Sequence, residues 1–218
     1  MNAEDIGMSV NPKKTQLLCT NTAINSDIRS FIYHKGERIE SGDTLTTVGF
    51  VFGRRAGAGE HVKMLRKKFG ARSGMLRHLK KLRLEPAVLV DIYRTFIRPI
   101  FEYASCAFHT ILTADQSASL ERLQRISLKI IFGLKTSYSE CLDLSGLERL
   151  DIRREAALQK FTQKVYSNER FRCAWFAAAA DPSYDLRRKR EVIEKFANRD
   201  RLLNAPLYRM RRIINQGH

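Results

Sequence analysis

Cysteine is sparse and scattered in this chain of 218 residues: Cys19, Cys106, Cys141 and Cys173 form neither a Cys-x-x-Cys pair nor a dense framework. That pattern excludes a structural zinc knuckle and a small secreted disulfide fold, and it points to a reducing intracellular compartment, nucleus or cytoplasm. Acid is scarce as well, with 23 Asp and Glu against 39 Lys and Arg and a net charge of +16. The longest apolar run, Cys173 to Ala180, falls well short of the roughly 20 residues of a membrane span, so no membrane partner is expected. The N-terminus, Met1-Asn-Ala-Glu-Asp-Ile-Gly7, lacks the basic and apolar regions of a secretion signal.

Constellations for catalysis are missing too. Metal-dependent phosphoryl transfer requires carboxylates that converge on a pair of cations, and the chain has no Asp-Asp pair. Glu40 with Asp43, and Glu4 with Asp5, read as solvated acids in a turn and a terminus. The histidines His34, His61, His78, His109 and His218 lack His-x-x-x-His spacing and a neighbouring Cys or acid cluster. No Gly-x-Ser-x-Gly elbow frames a serine. Gly57-Ala-Gly59 follows a strand and opens a helix, but Val62 stands where a dinucleotide fingerprint has its third glycine. A hinge is the better reading. Catalytic residues, metal ligands and cofactors are therefore expected to be none in this chain.

What is present is a change of period. Thr15 to Thr20, Ser30 to His34 and above all Thr44 to Phe52 are β-branched or aromatic segments separated by the turn signals Asn25 to Asp27, Lys35-Gly36 and Ser41 to Asp43. They predict a small, mostly antiparallel β-unit over 1–53, with too few strands to stand alone. From Glu60 the apolar spacing becomes helical. One helix carries Met64, Met75, Leu76, Leu79 and Leu82, bent or broken near Gly70 and Gly74. A second starts at Pro86, carries Leu89, Ile92, Tyr93, Phe96, Ile100 and Tyr103, and is kinked by Pro99. A third opens on the capping box Thr113 to Gln116, runs through Leu120, Leu123, Ile126 and Ile130, and stops at Gly133. A short helix near Tyr138 to Leu144 and a longer one with Leu158, Phe161 and Val165 complete a bundle over 54–168. Residues 169–218 form a basic, partly helical tail rich in Arg187, Arg188, Lys189, Arg190, Arg199, Arg201, Arg209, Arg211 and Arg212, expected to fray. The fold class is α+β, mainly α.

The cations carry the functional signal. Lys63, Arg66, Lys67, Lys68, Arg72, Arg77, Lys80, Lys81 and Arg83 share one helical segment whose only acid is Glu60. An ordinary solvated face mixes signs at i,i+4, whereas this one repels itself and so calls for a polyanion. Arg122, Arg125 and Lys129 are spaced to share a second face, opposite the leucine stripe. RNA, DNA or an RNA–DNA hybrid is the expected partner.

Gly7-Met-Ser-Val-Asn-Pro-Lys-Lys-Thr15, followed by Leu17-Leu18-Cys19, resembles the "G-x-x-x-N-x-x-K-T" segment of reverse transcriptases of non-LTR (LINE-type, jockey-like) retrotransposons. Further pieces follow in the family's order. Thr47-Val-Gly-Phe50 is similar to its Val-Gly strand, Ile97-Arg-Pro-Ile-Phe-Glu-Tyr-Ala-Ser105 to its "IRPxxEYAS" helix, and Leu120 to Gly133 to its "LxxxQRxxLRxIxG" helix. Leu147 to Leu150 with Arg153-Arg-Glu155, then Asn168-x-Arg170-Phe and Trp175-Phe176, come at family-like spacing. Departures are Cys106-Ala-Phe108, where the family often has Trp, and the alanines after Phe176.

The resemblance implies the end of a polymerase palm, then a helical thumb. Both catalytic aspartates, and the Mg2+ ions they hold in the full-length enzyme, would lie upstream of this chain, and the missing upstream segment becomes a candidate partner. It further implies that Lys14 matches the lysine of the post-catalytic palm motif. Val48, Gly49 and Phe50 would fall on the hairpin that supports the primer end, and Arg66, Lys67, Arg122, Arg125 and Lys129, with Lys63 alongside, would meet template–primer phosphates. A non-enzymatic helical RNA- or DNA-binding module, or a non-functional element relic, is the alternative.

Overall fold

A computed structural model describes residues 7, 9–19, 31–54, 57–176, 192 and 205–216. The turn at Asn25 to Asp27, the alanines at 177 to 180 and the tail cations from Arg187 to Arg201 lie outside these. The chain divides into two compact units, Met1–Met64 and Leu65–His218.

In the first unit, Asn11 stops the incoming chain. Its side-chain oxygen accepts from the Lys13 N–H at 3.0 Å, and the hydroxyl of Thr15 donates to the Asn11 carbonyl at 2.9 Å, closing a 3-10 turn over Pro12–Lys14. Strand β1 (Leu17–Leu18) then pairs in parallel with β3 (Glu37–Gly42), and β2 (Phe31–His34) pairs with β3 in antiparallel fashion, giving the order β1-β3-β2. The parallel pair departs from the expectation of a mostly antiparallel unit only at this two-residue strand. A separate hairpin joins β4 (Thr44–Thr47) to β5 (Phe50–Gly53).

The single strand expected from Thr44 to Phe52 is therefore two strands. Val48 and Gly49 turn the chain between them with φ of 47° and 76°, just as Lys35 and Gly36 do between β2 and β3 with φ of 49° and 81°. Paired positive φ values match the right-handed twist of two-residue hairpins. Gln16 ties the sheets together by accepting from the Thr46 N–H at 2.9 Å. Ile39, Ser41 and Phe50 are buried, while Phe31, Ile32 and Tyr33 of the edge strand are exposed.

Helix α1 (Gly59–Lys81) runs unbroken through Gly70 and Gly74. Its buried stripe is Val62, Leu65, Phe69, Ser73 and Leu76, whereas Met75 and Leu82, expected in it, are exposed. Ser73 can occupy the stripe because its hydroxyl donates to the Gly70 carbonyl at 3.0 Å.

In the second unit the expected Pro86 helix comes in three pieces. Helix α2 (Pro86–Ile92) opens on its proline, passes into one π turn over Tyr93–Ile97, and resumes as α3 (Arg98–Glu102). Pro99 lacks an N–H, and the wider turn just before it absorbs that defect. The turn also rotates everything after it. Ile97, Ile100 and Phe101 become buried, and Phe96 and Tyr103, which an uninterrupted helix would place in the core, face outward.

Ala104 reverses the chain at φ 54°, and a short helix α4 (Ser105–Phe108) follows. Helix α5 (Ala114–Phe132) has the expected limits. Gln116 N–H donates to Thr113 Oγ1 at 3.2 Å, Thr113 N–H donates to Gln116 Oε1 at 3.1 Å, and Gly133 ends the helix at φ 107°. Helix α6 (Tyr138–Ser145) has a second capping box, between Ser137 and Glu140, and stops on Gly146 at φ 60°. Helix α7 (Leu150–Ser167) buries Leu150, Arg154, Leu158, Thr162 and Val165. Phe161, expected in that row, is exposed and Thr162 takes its place, donating its hydroxyl to the Leu158 carbonyl at 2.8 Å.

Helix α8 (Glu169–Trp175) follows, and α9 (Pro206–Gln216) lies in the basic tail. Expected to fray, α9 instead places Met210 and Ile214 in one core cluster with Leu158, Val165, Phe176 and Val192. Burying two aliphatic side chains of this size contributes roughly 3 to 6 kcal/mol before ordering costs. The architecture is α+β, mainly α: a small sheet unit followed by helices. No helix of the described residues is long and apolar enough to cross a membrane.

Candidate nucleic-acid interface

On helix α1, Lys63, Arg66, Lys67, Lys68, Arg72, Arg77 and Lys81 are exposed, with Lys67 opposite the buried stripe and Arg66 and Arg72 flanking it. Lys63 pairs with Glu60 at 2.7 Å. Arg72 donates to the Phe96 carbonyl, and Lys80 donates to the Ile131 carbonyl at 2.7 Å. Lys80 therefore caps the last turn of α5, where carbonyls lack helical partners and the helix dipole is negative. Arg66, Lys67 and Lys68 make no hydrogen bond or ion pair with another described residue. All three side chains are exposed.

On α5, Arg122 and Arg125 are exposed and Lys129 is half-buried, with the exposed Ile126 among them. The guanidinium carbon of Arg125 lies 4.8 Å from the centre of the Tyr138 ring, a cation–π contact that fixes its direction. Tyr138 is in turn held from behind. Its hydroxyl donates to a Glu121 carboxylate oxygen and accepts from Gln124 Nε2 at 3.0 Å. Burial, reinforced by the Glu121 carboxylate, pushes the Tyr138 phenol well above its ordinary pKa, so it remains a neutral donor.

Gln124 uses every bond it has room for. Its carbonyl accepts from the Tyr93 hydroxyl at 2.7 Å, and its amide donates to Tyr138 and to the Glu148 carbonyl, both at 3.0 Å. The second carboxylate oxygen of Glu121 accepts from the Leu150 N–H at 3.1 Å. Arg149 precedes α7 without capping it, so a carboxylate from α5 caps that helix instead. The basic outer face of α5 thus stands on a buried polar network. Periodicity of apolar residues does not find such a network, because Glu121, Gln124 and Ser127 occupy core positions. The capping-box signal of Ser137 to Glu140 was readable and marks where Tyr138 enters.

The proposed site residues are brought together only in part. Arg66 and Lys67 share α1, and Arg122, Arg125 and Lys129 share α5. The C-terminal ends of the two helices meet through Lys80 and Ile131. Lys14 is exposed at the end of the 3-10 turn in the first unit, which also holds Lys63. Val48 and Gly49 form the tip of the β4–β5 hairpin, with Val48 exposed and Phe50 buried at its base, 4.5 Å ring to ring from His61. In the tail, Arg209 pairs with Glu155 at 2.9 Å and Arg211 donates to the Trp175 carbonyl at 3.1 Å, so both are committed to the fold.

Among the described residues, no group of three or more acids, histidines or cysteines is placed to hold a metal ion. Glu40 pairs with Arg38, Asp43 with Arg54, and Glu60 with Lys63, at 3.3, 3.0 and 2.7 Å. Carboxylates paired in this way with arginine and lysine do not fit the Mg2+ pair of a polymerase. Comparison with known proteins finds no matching family model, no matching curated protein and no matching solved structure.

Proposed function

We propose that this chain binds nucleic acid through phosphate contacts from the outer faces of α1 and α5, as the palm-end and thumb portion of a reverse transcriptase of the non-LTR retrotransposon kind. The observations that carry the reading are the exposed cations Arg66, Lys67 and Lys68 of α1, none of them bonded to another described residue, together with Arg125 held in place on Tyr138. Phosphate contacts of this type position a duplex without reading its sequence. On this reading nucleotide addition needs a segment that supplies convergent carboxylates, since the described residues of the first unit offer none. A second reading is a helical RNA- or DNA-binding module with a role of its own. The two capping boxes and the satisfied network of the second unit favour it over a relic that folds poorly.

The test is binding of the purified chain to an RNA–DNA hybrid at several salt concentrations, with nucleotide incorporation assayed in the same tubes. Salt-sensitive binding without incorporation is expected. Changing Arg122, Arg125 and Lys129 together to Gln lowers the log–log salt slope by roughly 2 to 3, since each phosphate contact contributes about 0.9 on duplex. An unchanged slope removes that face from the site. Incorporation that survives removal of contaminating polymerase refutes the incomplete-enzyme reading, and broad, non-cooperative melting of the chain would favour the relic.

A further inference from the structure

Helix α8 is built unlike its neighbours: all seven of its residues, Glu169–Trp175, are exposed. A helix of two turns with no buried face does not persist through its own hydrogen bonds. This one is tied at both ends. Asn168 caps it, its side-chain oxygen accepting from the Phe171 N–H at 3.4 Å. At the other end Arg211 donates to the Trp175 carbonyl at 3.1 Å, and Phe176, buried in the cluster with Leu158 and Val165, anchors the chain that leaves the helix. The fold thus fixes α8 in place while leaving its large side chains out of the core.

Those side chains are an aromatic pair and two cations. Phe171 and Trp175, at i and i+4, are 45% and 39% exposed, with ring centres 5.7 Å apart. Arg170 and Arg172 are exposed beside them, Arg172 lying 6.0 Å from the centre of the Tyr166 ring, and the only acid on the helix is Glu169. Exposed rings on a helix that also carries exposed guanidinium groups offer π-faces to bases and charge to phosphates. Bases inside a duplex are already stacked, so the fitting ligand has free ones.

We propose that α8 is a stacking platform for single-stranded nucleic acid, with Phe171 and Trp175 taking bases and Arg170 and Arg172 taking the adjoining phosphates. The inference rests on the nucleic-acid reading above and adds a second contact, for unpaired strand, to the phosphate-binding faces of α1 and α5.

Trp175 is the chain's single tryptophan, so its fluorescence reports on this platform directly. The full chain is titrated with a ~12-nucleotide oligothymidylate carrying a dye, reading dye anisotropy and tryptophan emission together. Quenching that saturates in step with anisotropy is expected. Phe171→Ala, which keeps the reporter, weakens binding about 5- to 150-fold, the worth of one stacked base. Arg170→Gln with Arg172→Gln lowers the salt slope by about 1.4. Binding seen by anisotropy without quenching, and untouched by Phe171→Ala, overturns the platform while leaving the α1 and α5 faces standing. No binding of either this strand or a hybrid duplex overturns both. A tryptophan blue shift with anionic phospholipid vesicles, without quenching by the oligonucleotide, identifies a lipid-facing helix and overturns the platform as well. The quenching measurement uses the unaltered chain, so it decides whether or not a variant folds.

Discussion

The Nε–H of Arg154 points at Nδ1 of His109 across 3.5 Å, which fixes the histidine as the neutral tautomer with its proton on Nε2. A guanidinium can only donate, so Nδ1 must be the acceptor. Nε2 then donates to Glu155 at 3.1 Å, and the other oxygen of Glu155 holds Arg209 of α9 at 2.9 Å. Burial, and next the positive charge of Arg154, press the His109 pKa below its ordinary value against the pull of Glu155. Burial alone would raise the Glu155 carboxyl, but Arg209 and His109 outweigh it and hold it below the usual range.

A pH dependence follows from the sign of these shifts. The unfolded chain, with histidine titrating near 6.5, takes up a proton more readily than the folded one. Stability is therefore full above about pH 6.5 and falls below it until the depressed folded-state pKa is reached. A second decline, from Glu155, sets in as pH falls below the ordinary glutamate range. Thermal melts between about pH 7.5 and 5.5 should show the first loss, and His109→Gln, which keeps a donor for Glu155, should flatten it. A wild-type curve that is level over that interval would mean His109 is not held neutral.

Gln124→Leu strands three groups at once: the Tyr93 hydroxyl, one bond of Tyr138 and the Glu148 carbonyl. Tyr93 has no exposed surface, and burial raises its phenol pKa well above the ordinary value, so its proton must find an acceptor inside. The expected cost is on the order of 3 kcal/mol by urea denaturation, with the slope of the transition unchanged. A loss under about 1 kcal/mol would mean that water replaces the amide.

The ends of elements were more legible in this chain than their faces. Thr113 to Gln116 and Gly133 delimit α5 correctly because caps are local chemistry. The apolar rows misled where a polar residue satisfied itself inside the helix, as Ser73 and Thr162 do, or where the helix changed pitch. Pro99 signalled a defect, but only the π turn over Tyr93–Ile97 decides that Ile97 rather than Phe96 goes inward. Among the cations, sequence spacing could not separate Lys80, bound to a carbonyl fifty-one residues away, from Arg66 and Lys67, which face water. Nor could it read Arg154, an arginine with no exposed surface, as a core residue.

Val48 adopts φ 47° at the tip of the β4–β5 hairpin, a conformation that a β-branched side chain rarely accepts. Asparagine tolerates it far better and is favoured before glycine in such turns. Val48→Asn is expected to stabilise the chain by about 1 kcal/mol, seen as a higher midpoint in thermal melting. Val48→Ile, equally branched, should bring no gain. If the resemblance-based role of Val48, Gly49 and Phe50 in supporting a primer end holds, the stabilised variant will also differ from wild type in hybrid binding, which the same preparation can measure.

Lys80 and the pair Arg66 and Lys67 belong to one helix and carry the same charge, yet Lys80 is bonded within the fold and the other two are exposed, which leaves the proposed phosphate contact to them. Lys80→Met removes the cap from the Ile131 carbonyl and should lower stability by about 1 kcal/mol, while the salt slope of nucleic-acid binding stays as it was. Arg66→Gln with Lys67→Gln breaks no described bond, so melting should be unaltered or slightly improved as like charges on the face are relieved. The same pair of changes should reduce the duplex salt slope by roughly 2. Measuring both quantities on both variants crosses the two assignments. If Lys80→Met lowers the slope as much as the pair does, the bond to Ile131 yields to phosphate on binding, and α5 loses a cap whenever nucleic acid is present.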